Sequence, residues 1–181
     1  MKVLTIITNG FEEIEAIGTI AILRRGNVDL DIYSLHNEES TGRYGVTIKN
    51  LLSINKLNLD DYDFLLIPGG PQYQELESSE LFLNIVKDFY NKNKFIAAIC
   101  AGPTILGHLG MLKGKNYTCF KSMNEDFGGN YIYNYVVQDG KIITAISASA
   151  TIDFGFKILE VIKGKEIAEK IKDQIYYYSK K

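Results

Sequence analysis

The stretch Phe95–Thr104, FIAAICAGPT, decides the fold. Its first five residues, Phe95 to Ile99, form a short apolar run with the length and composition of a fully buried parallel strand. Small residues follow at once, and Pro103 suits the first turn of a helix, where its missing N–H costs nothing. Cys100 therefore sits where a strand stops and a helix starts. Ala98-Ile99-Cys100-Ala101-Gly102 reads as an A-x-C-x-G version of a nucleophile elbow. Its small residues permit a sharp turn that presents the sulfur. A helix N-terminus carries partial positive charge and free N–H groups, so this position predicts a thiol titrating well below its free value. The competing reading is a small buried hydrophobe, the usual fate of a free cysteine.

Working outward from the elbow, strands and helices alternate. Val3–Thr8 reads as a buried strand and Phe11–Arg25 as a helix, with Ile14, Ile17 and Ala21 as its apolar stripe. Glu12, Glu13 and Glu15 fill the first turns, and Gly26-Asn27 closes the helix. Val28–Ser34 alternates as a half-exposed strand, and His36–Gly42 is a polar loop. Tyr44–Ile48 and Leu51–Ile54 are short candidate strands. Phe64–Ile67 is a buried strand ending in Pro68-Gly69-Gly70-Pro71. Ser78 is placed to cap a helix running to Lys92, with Phe82, Ile85, Val86 and Phe89 at helical spacing. Beyond the elbow come a helix over Gly102–Leu109, a strand over Asn116–Phe120 and a polar loop over Glu125–Asn130. A hairpin over Tyr133–Gln138 and Lys141–Ser147 turns at Asp139-Gly140. A helix starts at Ser149 or Thr151, is interrupted at Gly164 and continues over Lys165–Tyr176. The tail from Tyr176 to Lys181 is expected to fray. This alternation predicts an α/β fold: a doubly wound, mostly parallel sheet with helices on both faces, in one domain spanning 1–181.

Composition narrows the function. The 181 residues are 46% hydrophobic and 23% charged, with net charge −2. Nothing here favours nucleic acid or an anionic membrane as a partner. No apolar run is long enough to span a bilayer, and the acidic residues at 12, 13 and 15 follow the first apolar run too closely for a signal peptide. Two widely separated cysteines make no disulfide framework, so the expected compartment is reducing cytoplasm. Only two histidines are present, His36 and His108, which limits every base-assisted mechanism.

In folds of this type the site lies at the carboxyl ends of the parallel strands. Three pieces fall there: the Glu-rich helix start, Gly69-Gly70 and Cys100. The glycines serve a turn, or their N–H groups hold an oxyanion beside the sulfur. Glu15 lies one position off the apolar stripe. It is either a solvated first-turn carboxylate or a cleft residue that meets the cysteine, and in the second case a dry site keeps it protonated and able to shuttle a proton. His108 lies about 12 Å up the following helix, and His36 lies in a loop, so neither is well placed as the base.

The segments ITNGFEEIEAIG, LLIPGG and FIAAICAGPTILG, in this order and spacing, resemble the DJ-1/ThiJ/PfpI superfamily. The resemblance runs over nearly the whole chain, including YVVQDGKIITA and the terminal helices. Cys100 is followed by alanine rather than histidine, which resembles the DJ-1 and ThiJ branch rather than the branch described as intracellular proteases. The resemblance implies a flavodoxin-like fold, a homodimer and no cofactor or metal. It also implies site roles: Glu15 as the protonated glutamate, Cys100 as the reactive and readily oxidised cysteine, and the backbones of Gly70 and Ala101, with Gly69, as the oxyanion site. Arg25 matches the anion-binding arginine near the dimer contact. A second family arginine falls beside Arg43, with Tyr44 at the matching position. Where branch members carry a histidine, this chain has Cys119, which either fills the space or resolves an oxidised Cys100.

The implied activity is addition of Cys100 to a small α-oxoaldehyde, a glyoxalase- or deglycase-type reaction protecting against reactive carbonyls or oxidants. Two alternatives stand beside it. One is a redox sensor or chaperone answering to oxidation of Cys100. The other is a class I amidotransferase-like cysteine hydrolase, which the scarcity of histidine opposes, as it opposes a protease. A flavin is not expected, because no phosphate loop follows the first strand.

Overall fold

The computed structural model describes residues 1–177. In chain order its strands are β1 (Val3–Ile7), β2 (Leu30–Ser34), β3 (Glu39–Thr41), β4 (Thr47–Lys49), β5 (Leu52–Ser53), β6 (Phe64–Ile67), β7 (Phe95–Ile99), β8 (Asn116–Tyr117), β9 (Asn130–Tyr131), β10 (Val136–Asp139) and β11 (Ile142–Ala145). The helices are α1 (Thr19–Arg25), preceded by a wide π turn over Ile14–Gly18, then α2 (Gln72–Ser78), α3 (Glu80–Asn91), α4 (Gly102–His108), α5 (Thr151–Lys163) and α6 (Lys165–Gln174).

Seven strands form the central sheet in the order β10-β11-β7-β6-β1-β2-β5. All neighbours are parallel except β10 and β11, which form the hairpin turned at Asp139-Gly140. The chain leaves β1 toward β2 and later returns to β6 on the other side of β1. That reversal opens a crevice at the carboxyl ends of β1 and β6, and β7 lies next to β6. The expected α/β fold with helices on both faces is what the structure has.

Alternating side chains of the inner strands feed two cores. Leu4, Ile6, Leu65, Ile67, Ile96 and Ala98 pack against α3 and α4 on one face. Val3, Leu66, Ala97, Ile99 and Ile143 pack against α1, α5 and α6 on the other. Because β6 and β7 are buried on both faces, they read in sequence as continuous apolar runs, and both occur at their expected bounds.

Several expectations are corrected. The stripe Ile14, Ile17 and Ala21 faces outward, with Ile14 60% and Ile17 39% exposed. Ala16, Thr19, Ile20, Ile22 and Leu23 are buried instead, because α5 packs closely against α1 at Gly18 and Gly155. The helix carries apolar residues on two sides, and tertiary packing chose the second. The polar segment 36–42 contains β3, which pairs with β4 in a hairpin. The cap of α3 is Ser79, whose hydroxyl accepts the Phe82 N–H at 3.3 Å, while Ser78 ends α2. The strand over Asn116–Phe120 contracts to β8, since Thr118 and Cys119 turn into the loop that holds the elbow. Of the tail, Tyr177 packs against Phe156 and hydrogen-bonds Asp153, and Tyr178–Lys181 lie outside the described residues.

Candidate functional site

The turn after β7 builds the site. Cys100 has φ +62°, a left-handed conformation that costs a residue with a side chain on the order of 1–2 kcal/mol. The surroundings impose it. Its N–H donates to the Ala145 carbonyl at 2.9 Å, and its carbonyl accepts the Phe120 N–H at 2.9 Å. Pinned on both sides, the residue turns its sulfur off the end of the strand. α4 begins two residues later with Gly102-Pro103.

Glu15 meets that sulfur. The wide turn over Ile14–Gly18 carries it inward, and it is fully buried. Wide turns of this kind are frequent at functional sites. Its carboxyl stands against the Cys100 side chain, close enough for each to shift the other's proton affinity, and accepts the Gly69 N–H at 2.9 Å through Oε2. Oε1 is buried with no partner. Burial pushes Glu15 up from its ordinary 4.5 to about 7, with the neighbouring Glu12 adding to the effect. The contacts to Cys100 and Gly69 oppose the rise, and so does the Arg43 charge.

The expected depression of the Cys100 thiol is not found. Burial pushes the thiol up, and the Glu15 carboxylate pushes it further. The nearby N–H groups of Ala101 and Gly70 act in the opposite direction. The helix start does supply the predicted donors, but in a dry pocket a second negative charge costs more than they return. Glu15 and Cys100 thus compete for one proton and titrate as a pair.

Gly69 and Gly70 are demanded by close approach. A Cβ on Gly69 would lie 2.6 Å from Glu15 Oε2 and 2.8 Å from Cys100 Cβ. Gly70 has φ +88°, and a Cβ there would lie 2.5 Å from both the Glu12 nitrogen and the Gly10 carbonyl. The structure therefore brings Glu15, Gly69, Gly70, Cys100 and Ala101 together from three adjacent strand ends.

The other sequence candidates divide. Arg43 anchors its N–H on the Phe11 carbonyl at 2.9 Å and stands near enough to act on Glu15. Arg25 is exposed in the last turn of α1, roughly 15 Å along the helix from Glu15 at 1.5 Å per residue. Within one chain it is not part of the cluster. Cys119 is wholly buried in the core on the α3/α4 side, whereas Cys100 packs against the opposite core. Both cysteines are free. Burial, aided by Glu125, pushes the Cys119 thiol up to about 11.

His36 is taken by Glu75, and His108 by Glu77 and Glu125, so neither reaches the sulfur. Among the described residues no group of three or more His, Cys, Asp or Glu side chains is arranged to hold a metal ion. No helix there is long and apolar enough to cross a membrane.

Sequence reasoning missed two supports. Glu12 Oε2 accepts the Glu15 N–H at 2.8 Å, and Glu13 Oε1 accepts the Tyr44 N–H at 2.7 Å. Both look like ordinary first-turn carboxylates; Glu12 ties the turn that carries Glu15, and only the folded loop between β3 and β4 shows what Glu13 holds. Gln72, two residues after Gly70, is likewise silent in sequence.

Comparison with known proteins bears on this geometry. The profile of the DJ-1/PfpI family matches residues 1–161. Protein DJ-1alpha of Drosophila melanogaster is 33% identical over 174 residues, 93% of this chain and 80% of its own. Deglycase PfpI of Pyrococcus furiosus is 30% identical over 148 residues, 80% of this chain and 89% of its own. The crystal structure of Drosophila melanogaster DJ-1beta superposes with TM-score 0.91 at 28% identity, covering 99% of this chain and 100% of that one.

Proposed function

The chain belongs to the DJ-1/PfpI family, and on that premise we propose that it converts small α-oxoaldehydes through Cys100, without a cofactor. One observation carries the reading: a sulfur held at φ +62° faces a buried carboxyl and two backbone N–H donors. A relative at 30% identity is named a deglycase, which supports carbonyl chemistry of this class.

The sulfur of Cys100 adds to the aldehyde carbon, forming the C–S bond while the carbonyl electron pair moves to oxygen. The N–H groups of Gly70 and Ala101 receive that oxyanion. Glu15, titrating at about 7, is matched to move a proton near neutral pH. Glu15 first gives its proton to that oxyanion. As a carboxylate it then takes the proton from the former aldehyde carbon and returns it to the adjacent carbonyl carbon, while the hydroxyl proton passes to the adjacent oxygen and leaves a 2-hydroxy thioester. Water then cleaves the thioester to release a 2-hydroxy acid, lactate in the case of methylglyoxal. Activation needs only that the pair's single proton sit on Glu15. The carboxylate charge that raises the thiol is then gone, and the carboxyl becomes a donor to the thiolate.

Methylglyoxal turnover by wild type and by Cys100→Ala, with free-thiol titration in parallel, tests the reading. Turnover lost with the thiol supports it, and equal turnover by both proteins ends it. The placement of both histidines away from the sulfur favours a second reading, oxidation of Cys100 as a redox signal, because both imidazoles are engaged by carboxylates elsewhere. Peroxide-dependent oxidation in a protein that turns over no aldehyde would select it.

The exposed apolar residues of the first helix, Ile14, Ile17 and Ala21, support a homodimer. Arg25, exposed on the same helix, then serves as an anion-binding group only if the partner presents it. The free cysteines support a reducing, cytoplasmic setting.

A further inference from the structure

We infer that Gln72 is the positioning residue of the site, aiming two successive N–H groups at Glu15 and Cys100 by holding the carbonyls on the far sides of their peptide planes. The inference rests on the proposed Glu15–Cys100 reading and extends it to a residue outside the cluster.

A trans peptide is rigid and planar, and its C=O and N–H point in opposite directions. The Pro68 carbonyl therefore shares a plane with the Gly69 N–H, and the Gly69 carbonyl shares one with the Gly70 N–H. Gly69 donates to Glu15 Oε2 at 2.9 Å, and the Gly70 N–H lies near enough to the Cys100 sulfur to favour its thiolate. Both carbonyls are held by one side chain. Gln72 Nε2 donates to the Pro68 carbonyl at 3.0 Å and to the Gly69 carbonyl at 3.2 Å. The Glu12 N–H adds a second donor to the Gly69 carbonyl at 3.1 Å.

Gln72 is itself immobilised, being 1% exposed. Its Oε1 accepts the Thr8 N–H at 3.0 Å, which settles the orientation of the amide. Its own N–H donates to the Gly10 carbonyl at 3.2 Å. One residue thus ties the end of β1, the turn before the first helix and the Gly-Gly turn together. A glycine pair needs such a tie, because nothing in its own side chains prevents the peptides from flipping. Donation to each carbonyl also polarises its peptide and strengthens the opposite N–H as a donor.

The test uses Gln72→Met, which keeps the shape of the side chain and removes its donors. Three quantities are read: circular dichroism, the pH profile of Cys100 alkylation, and hydrogen exchange at the Gly69 and Gly70 amides. The expected result is a native spectrum, an alkylation rate at neutral pH lower by about tenfold and a midpoint moved upward. That is the size of one hydrogen bond to a charged group. Both glycine amides should exchange faster. A folded variant with wild-type alkylation and exchange overturns the inference.

If Gln72→Met does not fold, Gln72→Glu replaces it. That variant keeps the acceptor for Thr8 and, even when protonated, can donate to only one of the two carbonyls, so slower alkylation and faster exchange of at least one glycine amide are expected, and an unmoved profile with unmoved exchange again overturns the inference. Glu15→Gln serves as the reference. If it leaves alkylation unchanged while Gln72→Met still frees the glycine amides, the Glu15–Cys100 reading fails and the positioning role survives.

Discussion

At Glu15, burial creates a proton that the folded chain keeps and the unfolded chain releases. Its carboxyl rises from 4.5 to about 7 on folding. A raised acid favours the folded state below its unfolded value, and that contribution is lost as pH climbs through the folded value. Over the window from 4.5 to 7 the loss amounts to about 3 kcal/mol, at 1.36 kcal/mol per pKa unit. Glu15→Gln should therefore raise the midpoint of chemical denaturation at pH 8 and leave it nearly unchanged at pH 4. A gain confined to acid would refute the assignment. The same substitution tests the shared proton. Wild-type alkylation of Cys100 should rise with pH in two steps, the first near 7, because two coupled groups lose their protons in turn. Glu15→Gln should leave one step, and two steps in the variant would show that the partner is a different group.

The elements around this pair explain which residues tolerate change. The Gly-Gly turn after β6 brings backbone against backbone, so Gly70→Ala has nowhere to go: its Cβ would press on the Glu12 nitrogen and the Gly10 carbonyl at 2.5 Å. With positive φ added, a loss of at least ~2 kcal/mol is expected by chemical denaturation, and a loss within 0.5 kcal/mol would show that the turn relaxes. The loop after β8 carries the other cysteine. Cys119 is wholly buried, its thiol is pushed up to about 11, and it packs in the core across the sheet from that of Cys100. Mild peroxide should oxidise Cys100 to sulfenate or sulfinate and leave Cys119 a free thiol. Peptide mass spectrometry without reductant reads this directly, and a cross-linked pair from one monomer would establish a redox switch instead.

On the scale of the whole molecule, the exposed side of the first helix is the feature a lone chain leaves unexplained. Ile14 and Ile17 stand in solvent beside the turn that carries Glu15. A second copy covering that face would both bury them and stiffen the site. Ile17→Glu should shift light scattering at micromolar concentration from dimer to monomer. A wild-type monomer would remove the dimer, and with it the role of Arg25. If the dimer holds and Arg25 acts across it, Arg25→Ala should raise KM for an anionic substrate and leave kcat for methylglyoxal unchanged.

Much of this was legible in the sequence, for local reasons. β6 and β7 lie buried on both faces, so their composition alone marks them, and Asp139-Gly140 announces its hairpin through turn chemistry. The elbow is a local event too, since small residues, a cysteine and a proline meet within five positions. Much of what the sequence could not determine depends on groups brought together from distant segments, as Glu15 is with Gly69 across 54 residues. Periodicity marked an apolar stripe on the first helix but not which of two apolar sides α5 would choose. The helix start that favours a Cys100 thiolate is visible in sequence, whereas the burial and the facing carboxylate that oppose it are tertiary. Gln72 gives no sequence signal at all. Its amide acquires meaning only when the end of β1 and the Gly-Gly turn close around it, because a hydrogen bond needs its partner within about 3 Å and sequence distance says nothing of that.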